Sequence, residues 1–116
     1  MDGSLRYLFV ETFGLVQKEV YQTAQDKGWY EVSERNLGEQ IALMHSELSE
    51  ALEAIRRGNP MSEKILGFTL LEEELADTII RIIDMAAHQR LNLARAILTK
   101  ADYNKTRPHR HGGKAF

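Results

Sequence analysis

The chain has 116 residues, 43% hydrophobic and 28% charged, with no cysteine and a formal net charge of -2. That length suits one domain over residues 1–116 with a core of its own, and the missing cysteines exclude disulfide scaffolds, thiolate zinc sites and thiol nucleophiles together. No apolar run approaches the roughly 18 residues of a membrane span, and the opening MDGSLRYLFVE lacks the pattern of a secretory signal. The expectation is a cytoplasmic domain with no membrane partner.

The small net charge conceals an asymmetry. From Lys100 onward, Lys100, Lys105, Arg107, Arg110 and Lys114 face a single acid, Asp102, so this segment is +4 and the preceding body is -6. An acidic body with a basic tail, about 105–116, raises the question of an anionic ligand held between them by a metal.

Periodicity is helical almost throughout, and no stretch alternates as a strand would. The first predicted helix runs from about Ser4 to Asp26, with Leu5, Leu8, Phe9, Phe13, Val16 and Val20 at helical spacing and Gly28 as its stop. After a linker containing Trp29, the second starts at Asn36, where Asn-x-x-Glu resembles a capping box, and runs to about Arg57 before Gly58-Asn59-Pro60. The third covers roughly Gly67 to Gln89, with a short turn near Ser62 before it, and the fourth about Leu91 to Asn104.

Four helices with short connections predict an all-α, four-helix bundle-like fold. On the second helix, Ile41, Met44, Leu48, Leu52 and Ile55 form the expected buried stripe, with Leu43, Ala51 and Ala54 towards the other side near Glu47 and Glu50. On the third, Leu71, Leu75, Ile79, Ile82 and Ala86 form one stripe, opposite Leu70 and Ile80. This is more apolar surface than one core requires, so a homodimer or homotetramer is expected.

The chemistry-bearing residues are acids. Glu47-x-x-Glu50 lies on the second helix and Glu74-x-x-Asp77 on the third, with 23 residues between Glu50 and Glu74. Positions i and i+3 share a helix face, so each pair projects two carboxylates the same way. Facing antiparallel helices bring the four together as an oxygen cage suited to Mg2+ or Mn2+. The bland alternative is a solvated face, with Arg81 and His88 neutralising the Asp77–Asp84 side. Asp77 inside LADTIIRIIDMA is costly unless paired or metal-bound. Glu53, Glu72 and Glu73 read as surface acids, with Glu53 and Asp84 also eligible as an outer shell. A di-iron site needs Glu-x-x-His pairs, and no glutamate lies three residues before His45, His88, His109 or His111. Phosphate-loop, dinucleotide and nucleophile-elbow motifs are absent as well.

Taken in order, LMHSELSEALEAIRRG, EEELADTIIRIIDMA and KADYNKTRPHRHGGK resemble the motifs of the MazG-like all-α nucleoside triphosphate pyrophosphatases, over about residues 29 to 114. Many relatives open the first motif with consecutive glutamates where this chain has Ser46-Glu47, which leaves the number of metals open. The resemblance implies Mg2+-dependent hydrolysis of (deoxy)nucleoside triphosphates to monophosphate and pyrophosphate. Glu47, Glu50, Glu74 and Asp77 would then be the catalytic metal ligands. Lys100, Arg107, Arg110 and Lys114 would neutralise the triphosphate, and Tyr103 and Asn104 would contact sugar or phosphate, unless Asn104 simply ends the fourth helix. Trp29 stacks on a nucleobase or plugs the core, Asn36 reads a base edge or caps a helix, and His45 is structural or functional. The alternative is a non-enzymatic helical interaction module whose basic tail binds nucleic acid or a protein. Against nucleic acid stands the acidic body, which repels a phosphate backbone except at the tail.

Overall fold

A computed structural model describes residues 1–31 and 36–109 of the chain. It is all-helical, with α1 over Gly3–Asp26, α2 over Leu37–Arg56, α3 over Leu70–His88 and α4 over Leu93–Lys105. Among the described residues the only extended pairing is an isolated bridge between Met61 and Thr69. No helix there is long and apolar enough to cross a membrane.

Local chemistry accounts for most of the helix ends. Asp2 caps α1 by accepting the Leu5 N–H at 2.9 Å, and Asn36 caps α2 by accepting the Glu39 N–H at 3.0 Å. Asn36 is therefore spent on the backbone. Thr69 and Glu72 form a reciprocal capping box at the start of α3. At the other ends, Gly28, Gly58 and Arg90 take positive φ. The N–H groups of Trp29, Asn59 and Leu91 then reach back to the carbonyls of Ala24, Ala54 and Ala86. These are three Schellman closures. α3 starts at Leu70 rather than Gly67, because residues 61–69 form a loop that folds back on itself.

α3 is the central helix, packed against α2 on one side and α1 on another, and α4 packs on α1. Asn59 Oδ1 accepts the Leu71 N–H, Arg81 pairs with Glu47, and Gln40 shares a small cavity with Asp84. Numbers falling along α2 meet numbers rising along α3, so the two helices run antiparallel. α4 is tied to the start of α1 by Arg6 and Asp102 at 2.6 Å.

The buried stripe on α2 differs from the expected one. Gln40, Met44, Ala51 and Ala54 are buried, whereas Ile41, Leu48, Leu52 and Ile55 are exposed. Similarly, on α3 Leu75, Ile79 and Ile82 are exposed, and Ile83, Thr78, Glu73, Asp84 and Ala86 are buried. Small side chains permit the close approach of α2 to α3, so Ala51 and Ala54 face the neighbour. The large aliphatic stripe lies about a quarter turn around the helix, on a face that is exposed among the described residues.

Candidate metal centre

Glu47 follows Met44 by three residues and precedes Ala51 by four, which puts it on the face of α2 that meets α3. Glu74 and Asp77 stand one turn apart on α3. The capping box fixes where that helix begins, and the Asn59–Leu71 bond fixes its register against the end of α2. As a result Glu47, Glu74 and Asp77 each offer a carboxylate oxygen within 4.8 Å of the others, all half-buried. Around one octahedral Mg2+ neighbouring oxygens are about 3.0 Å apart and opposite ones about 4.2 Å, so holding a single ion would draw the three carboxylates closer together.

Of the four acids expected from sequence, the structure brings these three together. Glu50 is exposed and stands outside the group. Arg81 Nε donates to Glu47 Oε1 at 3.1 Å, which anchors that carboxylate and offsets one charge of the three. Two negative charges remain, the number a divalent cation cancels.

The crowding also shifts the carboxyl groups. Burial pushes the Glu74 carboxyl above its ordinary range, and a hydrogen bond to Glu47 with the charges of Glu47, Glu73 and Asp77 pushes the same way. Asp77 is also raised, by burial first and then by Glu47 and Glu73, while Lys64 and Arg81 pull it back. An all-oxygen set that is crowded, partly desolvated and over-charged fits a hard divalent cation.

Glu73 is not a surface acid as its sequence position suggests. It is buried, and it accepts a hydrogen bond from the buried hydroxyl of Ser62. Glu72 does remain exposed, its carboxyl held low by hydrogen bonds from the Thr69 backbone and side chain. Asp84 accepts a 2.8 Å hydrogen bond from Tyr30, whose ring packs on His88. His88 in turn meets the Tyr21 hydroxyl at 3.3 Å. This network secures the segment after α1 to α3, and it is Arg81, not His88, that pairs within the acid group. Sequence reading missed both Ser62 and Tyr30, because a serine or tyrosine in a loop carries no periodic signal.

The expected substrate residues are more dispersed. Lys100, Tyr103, Asn104 and Arg107 lie along or just beyond α4, the helix packed on α1. Lys100 Nζ stands 4.4 Å from the Tyr103 ring centre, a cation–π contact at the surface. Asn104 sits inside the last turn of α4, which continues to Lys105. Trp29 is 43% exposed and so does not plug the core. His45 is exposed on α2. Arg110 and Lys114 lie outside the described residues. A groove of 650 Å³ runs between α1 and α4, lined by Arg6, Tyr7, Arg95 and Thr99 among others, and none of the four acids lines it.

Comparison with protein-family models, curated proteins and solved structures finds no match. The functional reading therefore rests on the carboxylate geometry and on the sequence motifs.

Proposed function

We propose that the chain is a MazG-like, Mg2+-dependent nucleoside triphosphate pyrophosphohydrolase, with Mn2+ as a substitute metal, acting in house-cleaning of the deoxynucleotide pool. The observation that carries this reading is the convergence of Glu47, Glu74 and Asp77 from two helices, within 4.8 Å. The motifs that supply these acids resemble that family in order along the chain.

When bound, Mg2+ lowers the pKa of a coordinated water and draws charge from phosphate oxygens. The chain's own residues set the geometry for this. Glu47, Glu74 and Asp77 would hold the ion, and Arg81 would orient the Glu47 carboxylate through its 3.1 Å ion pair. Water oxygen bonds to the α-phosphorus while the bond from that phosphorus to the bridging oxygen breaks. The electron pair leaves on pyrophosphate and the water proton passes to solvent. Glu50, one turn along α2, is proposed as a ligand recruited from the exposed side as the nucleotide binds. Lys100, Tyr103, Asn104 and Arg107 are proposed to reach a nucleotide held by another copy of the chain, as α4 packs mainly on α1.

A homodimer or homotetramer belongs to the same proposal. Leu48, Leu52 and Ile55 on α2 and Leu75, Ile79 and Ile82 on α3 are exposed in the single chain, and a contiguous apolar surface of that kind marks an association face. A non-enzymatic helical module remains the competing reading, favoured by the Arg81–Glu47 ion pair, which already neutralises part of the acid group. Turnover separates them. With Mg2+ and a panel of canonical and modified nucleoside triphosphates, the enzyme reading expects monophosphate and pyrophosphate in equal amounts. Absence of turnover across the panel supports the module.

A further inference from the structure

The loop between α2 and α3 is built around one buried hydroxyl. Ser62 Oγ accepts the N–H groups of Lys64 and Ile65 at 3.1 and 3.0 Å and donates its proton to Glu73, itself buried on α3. These three bonds pin the backbone of residues 62–65 against α3, beside Glu74 and one turn before Asp77. Lys64 projects from that pinned turn. Its Nζ stands 3.9 Å from Glu73 Oε2, and its side chain is 84% exposed. At that distance the ammonium makes no close hydrogen bond to Glu73, so its donors are open to solvent and to an anion in the cleft it lines.

The cleft itself is 260 Å³, and its charged lining sets Arg57 and Lys64 against Glu63, Glu73 and Glu74. Arg57 is the C-cap of α2. Two cations from the α2–α3 loop and its edge thus share one hollow with three carboxylates, one of them, Glu74, from the converging acid group. Cations in such a position do two things at once: they offset the acids, and they present donors to an anion that the acids alone would repel. A solvated surface lysine needs neither the buried Ser62 turn nor a shared cleft.

We propose that Lys64, assisted by Arg57, is the phosphate subsite of this centre, taking the non-bridging oxygens of the phosphates that leave as pyrophosphate. The inference rests on the pyrophosphohydrolase reading and deepens it. It places the leaving-group clamp on the same pair of helices that holds the metal, independent of the basic tail. Charge builds on pyrophosphate as the bridging bond breaks, and an ammonium held on a pinned loop stabilises that charge with little reorganisation.

The probe is inorganic tripolyphosphate, titrated calorimetrically into the full chain in Mn2+, alongside steady-state hydrolysis of a deoxynucleoside triphosphate. Lys64→Met is expected to weaken tripolyphosphate binding tenfold or more and to raise KM in parallel. Lys64→Arg should recover most of both, and Lys105→Met, an equal change of charge at an exposed site on α4, should change binding less than twofold. The Ser62 turn uses only the Lys64 backbone N–H, and helical circular dichroism of Lys64→Met checks that losing the ammonium beside Glu73 leaves the fold intact. An active wild type whose Lys64→Met variant binds and turns over unchanged overturns the subsite and leaves the pyrophosphohydrolase reading standing. A wild type that neither binds tripolyphosphate nor hydrolyses any nucleotide overturns both.

Discussion

Asp77 and Glu74 hold their protons more tightly in the folded chain than a free carboxyl does, because burial and neighbouring acids disfavour their charge. The sign of the pH dependence follows. In the metal-free protein the two groups contribute stability below the ordinary carboxylate pKa, and that stability is lost as pH rises through their raised values. Ionising both sets them against mutual repulsion, and a divalent cation relieves it. Thermal unfolding at neutral pH is therefore expected to shift upward with Mn2+ in the wild type and not in Asp77→Asn. Without metal, Asp77→Asn should melt no lower than the wild type. A second residue-scale prediction concerns Arg90, which occupies the left-handed position after α3 at φ 56. Arg90→Gly removes that strain at some cost in unfolded-chain entropy, and urea denaturation should show a net gain of about 0.5 to 1 kcal/mol.

The helices themselves were legible before the fold was known. Apolar spacing marked all four, and Asn36, Gly28 and Gly58 marked ends that the structure places within a residue or two. The face each helix buries was not legible. Volume and hydropathy favour Leu48, Leu52 and Ile55 as core, yet the α2–α3 seam is built on Ala51 and Ala54 because only short side chains admit the neighbouring backbone. Ala54 is 1% exposed, so Ala54→Leu overpacks the seam and should cost about 1 to 3 kcal/mol in denaturant unfolding. For the site, i and i+3 spacing exposed the acids on each helix but not which would converge. Glu50 and Glu73 exchange their expected settings because the antiparallel register, pinned by Asn59 and Leu71, is a tertiary property. Lys64 stayed hidden for the same reason. Its place beside Glu73 and Glu74 exists only once Ser62 has folded the loop back.

Taken as a whole molecule, the chain carries two imbalances. The body is acidic and the last 17 residues are basic, and among the described residues large aliphatic side chains on α2 and α3 stand exposed. The proposed assembly answers both, since a second copy covers the stripes and can bring α4 of one protomer towards the acids of another. Leu52→Glu, on the exposed stripe, should convert the oligomer to monomer in sedimentation while retaining helical circular dichroism. If α4 reaches across protomers, the same variant also raises KM. A wild type sedimenting as a monomer at micromolar concentration would contradict the assembly without touching the metal centre.

The central claim is that Glu47, Glu74 and Asp77 hold a divalent cation that the hydrolysis requires. Its most direct measurement is pyrophosphate release from a deoxynucleoside triphosphate by EDTA-treated protein as Mg2+ is titrated back, for the wild type and for Asp77→Asn. The predicted result is no turnover without metal, saturable recovery in the wild type, and at least a hundredfold lower rate in Asp77→Asn, equivalent to about 2.7 kcal/mol or more of transition-state stabilisation. Turnover that persists in EDTA, or an Asp77→Asn variant as active as the wild type, would contradict it.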